Sequence, residues 1–329
     1  MPSFDWRALK HDPKAWLAGV IVLLGAFFGA LSPEFLSLGN LVDLVEGSSV
    51  TAILAIGLFV VLVAGGIDIS FAATASVAQY AAAWAATRTQ LPVPAVIAIS
   101  LLLGAALGAL NALLIDRLRA TSIIITISTM SVYFALLMYA TGGRSIYGLP
   151  GWWSDPVVLW QFAGSGDSTV RITLPIVVML AVLGVTALIM NRSSLGRQIF
   201  AMGGNAEAAR RAGINLTVVQ VFAYGYLGLL AGLAGLVQAH RVGEAVPNAM
   251  VGGELFVLAA AVLGGASLNG GSGSVGGVML GILLLAMLRN GLNLLGISPY
   301  CFQILLGVVI LASATATGLK FRRRAALAA

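Results

Sequence analysis

The chain has 329 residues, of which 59% are hydrophobic and only 9% charged, and its mean hydropathy is +0.99. Soluble domains are nearer about 25% charged, so the composition excludes a soluble globular protein and indicates an integral membrane protein. The formal net charge of +6 then reflects insertion and anionic headgroups rather than nucleic-acid binding.

In chain order, a polar segment, 1–14, leads into the first apolar run at 15–31. Asp5 and Asp12 in that segment, and the lack of a small-x-small cleavage site before Glu34, Asp43 and Glu46, favour a retained helix over a signal peptide. Further runs follow at 48–64, 70–87, 93–115, 120–141, 172–190, 217–239, 254–268, 274–295 and 299–317, ten in all. Most are about 16 to 24 residues long, which at about 1.5 Å per residue matches a hydrocarbon core of roughly 30 Å. Strict alternation is absent, so helices rather than barrel strands cross the membrane.

With that map, thirteen cations fall on one side: Arg7, Lys10, Lys14, Arg117, Arg119, Arg192, Arg197, Arg210, Arg211, Lys320, Arg322, Arg323 and Arg324. Only Arg88, Arg144, Arg171 and Arg241 fall opposite. Positively charged loops stay cytoplasmic, so both termini are expected in the cytoplasm. The lone Cys301 lies in an apolar run and excludes an intrachain disulfide.

Glycine doublets interrupt two apolar runs, at AGGIDIS (64–70) and at LGGASLNGGSGSVGG (263–277). A broken helix in a bilayer leaves backbone groups unpaired unless they line a cavity or are buried in protein, so each break marks either a translocation path or tight packing. For Gly104 and Gly108, and for Gly228 and Gly232, small-residue helix packing is the reading. A faint echo links 108–127 to 289–308; in this topology the two copies have opposite orientation, as an inverted repeat requires.

Asp68, Glu254 and Arg289 are the ionisable groups in or beside spans away from the main loops. Charge at membrane depth points to function, though groups near helix ends also snorkel. Asp68 follows Gly65 and Gly66 and precedes Ser70, so it either caps the next helix or lines a pathway. Enzymatic readings lack support: His11 and His240 are the only histidines, and neither H-E-x-x-H nor G-x-S-x-G occurs. GGSGS at 270–274 lacks the Lys-Ser/Thr of a phosphate loop, so this chain is not expected to hydrolyse ATP.

The polar island 191–215 contains GGNAEAARRAGI, which reads as a short surface helix with Asn205 as N-cap, Glu207 in the first turn and Gly213 past the end. About two turns are marginal alone in water, so it is either a solvated connector or a helix received by a cytosolic partner.

Glu207-Ala208-Ala209, followed after Arg210, Arg211 and Ala212 by Gly213, resembles the coupling motif of the sugar-type ATP-binding-cassette import permeases. VAGGIDIS (63–70), TGGRSIYGLP (141–150), LGGASLNGGSGSVGG (263–277) and NGLNLLGIS (290–298) are similar to that family in the same order. The resemblance implies an all-α polytopic membrane protein of about ten helices, one permease domain over 1–329 with tails at 1–14 and 318–329 and a coupling loop at 191–216. It also implies a second permease copy or paralogue, cytosolic ATPase subunits that carry ATP and Mg, a periplasmic binding protein, and residence in the bacterial inner membrane. No cofactor is expected in this chain.

By that likeness Asn205, Glu207, Ala208, Ala209, Arg210 and Gly213 form the ATPase-coupling site. Gly65, Gly66, Asp68, Ser70, Glu254, Phe256, Gly264, Gly265, Ser267 and Asn269 are pathway or gate candidates. Departures bear on the solute: Ile69-Ser70-Phe71-Ala72 stands where the family usually has Leu-Ser-Val-Gly, and Phe256 where it commonly has Asp. The expected solute is a monosaccharide or small polyol; the alternatives are an ATP-independent secondary carrier and a membrane-embedded enzyme. In the external segment 142–171, Trp152, Trp153 and Trp160 are expected at the headgroup level. Arg144, Asp155, Arg241 and Glu244 are candidates for binding-protein docking.

Overall fold

The computed structural model describes residues 13–163, 169–298, 300–308 and 311. Nine helices stand where the first nine apolar runs were expected: α1 (Pro13–Leu31), α2 (Leu38–Val63), α3 (Phe71–Arg88), α4 (Val93–Leu118), α5 (Ser122–Thr141), α7 (Leu174–Arg192), α10 (Leu216–Val242), α11 (Glu254–Leu263) and α12 (Val275–Leu294). A single helical turn, α6 (Gly151–Ser154), and an antiparallel pair, β1 (Val158–Ala163) with β2 (Thr169–Thr173), fill the segment after α5. Two helices, α8 (Ser194–Gly204) and α9 (Ala206–Arg211), occupy the polar island. Residues 300–308 are helical; most of the rest of the expected tenth span lies outside the described residues.

Seven of these helices are long and apolar enough to cross a membrane; α3 is too rich in Ala, Gln and Thr and α11 too short to meet that measure. α11 stops at Leu263 although the apolar run continues to 268, because the glycine doublet ends it. The α8 helix was not legible from hydropathy alone: it is amphipathic, with Ile199 and Met202 buried.

α10 is the hub, packing against α2, α3 and α4. Its contact with α4 is backbone on backbone. A Cβ added at Gly228 would stand 2.9 Å from the Gly104 carbonyl carbon and 3.1 Å from Gly108 Cα; one at Gly232 would stand 2.9 Å from the Ser100 carbonyl carbon. The Ser100 hydroxyl donates to the Gly232 carbonyl at 2.9 Å. The two glycine pairs thus meet each other, as small-residue packing in a membrane requires. Across the bundle, the Asn40 and Asn290 amides exchange hydrogen bonds at 3.1 and 3.0 Å and fasten α2 to the end of α12.

In the segment between α5 and α7, Trp153 is buried within the protein, and its Nε1 donates to the Leu236 carbonyl at 3.0 Å. The Trp153 carbonyl accepts from His240 Nδ1 at 2.6 Å. The buried indole N–H thus has the hydrogen-bond partner its burial requires. Trp152 and Trp160 remain exposed.

The close crossing yields a test. Gly228→Val is expected to lower stability by about 1–3 kcal/mol or more through overpacking, read as a fall in the thermal midpoint of detergent-solubilised protein. Gly184→Val, on an exposed stretch of α7 with nothing within 4 Å, is expected to change stability by no more than about 0.5 kcal/mol. Equal shifts in both would contradict the contact.

Candidate functional site

Both glycine doublets end helices in the same way. After α2, Gly65 takes φ +89°; its amide donates to Leu62 at 2.9 Å, and Gly66 donates to Val61 at 3.0 Å. After α11, Gly265 also has φ +89°; it donates to Val262 at 2.9 Å, and Ala266 donates to Ala261 at 3.0 Å. This paired bonding closes a helix through a left-handed residue, a conformation that glycine adopts without the Cβ penalty. The breaks are therefore built stops rather than weak points in a longer helix.

The two breaks meet at the end of α8. The Gly271 amide donates to the Val63 carbonyl at 2.9 Å, pairing one of the carbonyls that the end of α2 leaves open. A Cβ on Gly203 would stand 2.6 Å from the Gly271 nitrogen and 2.9 Å from the Val63 carbonyl carbon. One on Gly270 would stand 2.7 Å from both the Gly203 oxygen and Gly65 Cα, and one on Gly271 2.6 Å from Gly204 Cα. Three segments distant in sequence thus touch through backbone alone, and only glycine fits between them. The doublets at 65–66 and 264–265 were legible as breaks; that Gly203, Gly270 and Gly271 join them was not, because nothing local in the sequence marks a contact between distant loops.

From this junction α9 extends as expected. Asn205 is the N-cap, its Oδ1 accepting from the Ala208 amide at 2.9 Å. Glu207 lies in the first turn and pairs with Arg211 at 3.0 Å. Gly213 takes φ +83° just past the end. Ala209 is buried against the bundle, whereas Ala208, Glu207, Arg210 and Arg211 are exposed. The helix therefore presents a largely polar outer face while one small side chain seats it.

Asp68 is 2% exposed and enclosed in a directed network. Its Oδ1 accepts from the Ser70 amide and the Ser70 hydroxyl, both at 2.7 Å. Asn111 Nδ2 donates to Ser70 Oγ at 2.7 Å and to Asp68 Oδ2 at 3.4 Å, while the Tyr133 hydroxyl lies 3.1 Å from Asn111 Oδ1. Nearby, Ile67 and Ile69 amides donate to Ser122 Oγ at 3.0 Å and Thr126 Oγ1 at 3.3 Å. Asp68 thus braces the turn before α3 and ties it to α4 and α5. Ser70, not Asp68, is the helix N-cap. The carboxylate ends a donor chain that runs from Tyr133 through Asn111 and Ser70; sequence reading singled out neither Tyr133 and Asn111 nor Ser122 and Thr126, which accept from the backbone of the break.

The remaining candidates divide. Glu254 is 9% exposed at the start of α11; its Oε2 accepts from the Gly252 amide at 2.9 Å while Oε1 is buried without a partner. Phe256 packs on the core, its ring 5.7 Å from that of Phe302. Gly264 approaches α12, where an added Cβ would stand 2.6 Å from the Gly277 carbonyl carbon. Ser267 accepts from the Asn269 amide at 3.2 Å. At the other end of the bundle, Ile146 and Ala245 form a backbone bridge and the Tyr80 hydroxyl donates to the Arg144 carbonyl at 3.0 Å; Arg144 is exposed, whereas Glu244 is half-buried with Oε2 unpaired. Arg241 and Asp155 are also exposed there.

A cavity of about 390 Å³ lies between the first break, the α8–α9 junction and Asn269. Gly65, Gly66, Asn205, Gln220 and Tyr224 line it; Asp68, Ser70 and Glu254 do not. No group of His, Cys, Asp or Glu suited to a metal ion occurs among the described residues.

The Asp68 network predicts that Asp68→Ala strands the Ser70 amide and hydroxyl and removes one of the two acceptors of the buried Asn111 amide. The expected loss is about 1.5–3 kcal/mol, measured as a lower thermal midpoint. An unchanged midpoint would show that the network contributes nothing to folding.

The model of a family described as branched-chain amino acid transport system / permease component matches residues 40–314. The chain is 35% identical over 309 residues to the ribose import permease protein of Escherichia coli K12, covering 92% of this chain and 94% of that protein. It is 32% identical to the D-allose transport system permease protein of the same organism, over 89% and 88% of the two chains. To the galactose/methyl galactoside import permease protein of Salmonella typhimurium it is 30% identical, over 93% and 94%. No solved structure matches. The chain belongs to this family of transport-system permease components.

Proposed function

We propose that the chain is the membrane permease subunit of an ATP-driven importer for a monosaccharide or related small polyol. The sugar solute rests on the ribose, allose and galactose permeases to which the chain is similar at 30–35% identity over most of its length. The observation that carries the mechanism is the exposed α9 helix fastened by glycine contacts to both breaks. A cytosolic ATPase subunit, holding ATP and Mg, receives α9, and its motion reaches the breaks through the junction.

The same reading gives a second permease copy or paralogue, a periplasmic binding protein that docks near Arg144, Asp155, Arg241 and Glu244, an inner-membrane location and cytoplasmic termini. The helical 300–308 supports a tenth span. The inverted repeat gains support from direction: α4 ends beside the first break, where Ser122 bonds Ile67, whereas α12 begins beside the second.

Three variants separate seating from transmission. Gly213→Val strains a left-handed turn by about 1 kcal/mol or more. Glu207→Lys opposes the helix dipole and breaks the exposed Arg211 pair, together several tenths of a kcal/mol. Both are expected to insert normally and to reduce co-purification of the ATPase subunit and import. Gly203→Ala, which leaves α9 itself intact, is expected to retain the ATPase subunit while import falls about tenfold, the equivalent of roughly 1.4 kcal/mol. Wild-type association and import in all three would leave 191–216 a solvated connector.

A further inference from the structure

The cavity beside the coupling junction has a lining suited to one kind of ligand. None of its lining residues is charged. Its polar side chains are Ser122, Asn205, Gln220, Tyr224 and Asn269, all neutral hydroxyls or amides that both donate and accept. Ile115, Met202 and Leu216 add apolar surface. At about 390 Å³ it falls within the range of small-molecule sites. A charged solute would lose its hydration here without a counter-charge, whereas a ring of hydroxyls over a CH face would meet both kinds of surface.

A second observation points to a missing partner. Tyr224 is 1% exposed, and its hydroxyl closes no hydrogen bond of good geometry even though Ser122 stands beside it. A buried hydroxyl left unpaired costs about 1–3 kcal/mol and calls for an explanation. Gln220, one turn before Tyr224 on α10, is half-buried.

We propose that this cavity is a binding site for a neutral polyhydroxylated small molecule, with Tyr224 and Gln220 reading its hydroxyls. The proposal rests on the importer reading for the class of solute and adds to it a place where solute is held. The walls of the site are the first break, the Gly203–Gly204 end of α8, Asn269 of the second break, and the faces of α10 and α5 that carry Gln220, Tyr224 and Ser122. The site therefore holds solute beside the junction, on the α9 side of the bundle.

The test uses the full-length permease in nanodiscs, with D-ribose, D-allose and D-galactose as probes and D-gluconate and D-glucosamine as charged controls. The expected result is saturable protection against thermal unfolding by a neutral sugar at millimolar concentration and none by the charged controls. Tyr224→Phe and Gln220→Leu should each weaken it about 3- to 10-fold, the loss of one neutral hydrogen bond. No saturable protection in the wild type, equal protection by the charged sugars, or undiminished protection in both variants would overturn the site. ATP-driven import by the assembled complex, measured separately, reports on the importer reading alone: import without binding removes only this site, and binding without import removes only the importer.

Discussion

A helix that stops inside a membrane protein leaves carbonyls with no intrahelical partner, and water is not available to satisfy them. Here the Val63 carbonyl at the end of α2 is paired by the amide of Gly271, from the loop that follows α11, with Gly203 of α8 pressed against both. That single arrangement fixes much else. It requires glycine at each approach, since any Cβ would overlap backbone. It places the α8–α9 pair against both breaks, and it leaves beside the junction a cavity that these segments wall together with Ser122 of α5 and Gln220 and Tyr224 of α10.

Around the junction the chain spends its buried polarity on bracing. Asp68, Ser70, Asn111 and Tyr133 form one directed chain of donors ending on a carboxylate, and Ser122 and Thr126 hold the backbone of the break against α5. The hub α10 lies close to α4 because glycine faces glycine, and at the far end the Trp153–His240–Leu236 contacts anchor the external segment. A rigid frame around the glycine junction suits the coupling role proposed for α9.

What the sequence made legible was what periodicity and local chemistry encode. Most apolar runs located their helices to within a few residues, although α2 begins ten residues before its run (38 against 48) and α11 ends five before the end of its own (263 against 268); the glycine doublets marked both breaks, and Asn205, Glu207 and Gly213 marked the start and end of α9. The rest depends on distant partners. Asn111 and Tyr133 look like ordinary residues of apolar helices until Asp68 is placed against them. Trp153 carries the composition of an interfacial anchor, yet the end of α10 offers it a carbonyl. Phe256 stands where the resembling family commonly has a carboxylate, and its ring lies 5.7 Å from that of Phe302.

The central claim is that α9 and the second break move as one body because backbone contacts leave no slack between them. Pulsed electron-paramagnetic-resonance distances between spin labels at Arg210 and Asn269, in a Cys301→Ser background and in a complex with the proposed ATPase subunits, test this directly. The account predicts one narrow distance that is the same in nucleotide-free and ATP-bound complexes, while distances from either label to the external end of the bundle change. A distance between Arg210 and Asn269 that shifts or broadens on binding ATP would contradict it.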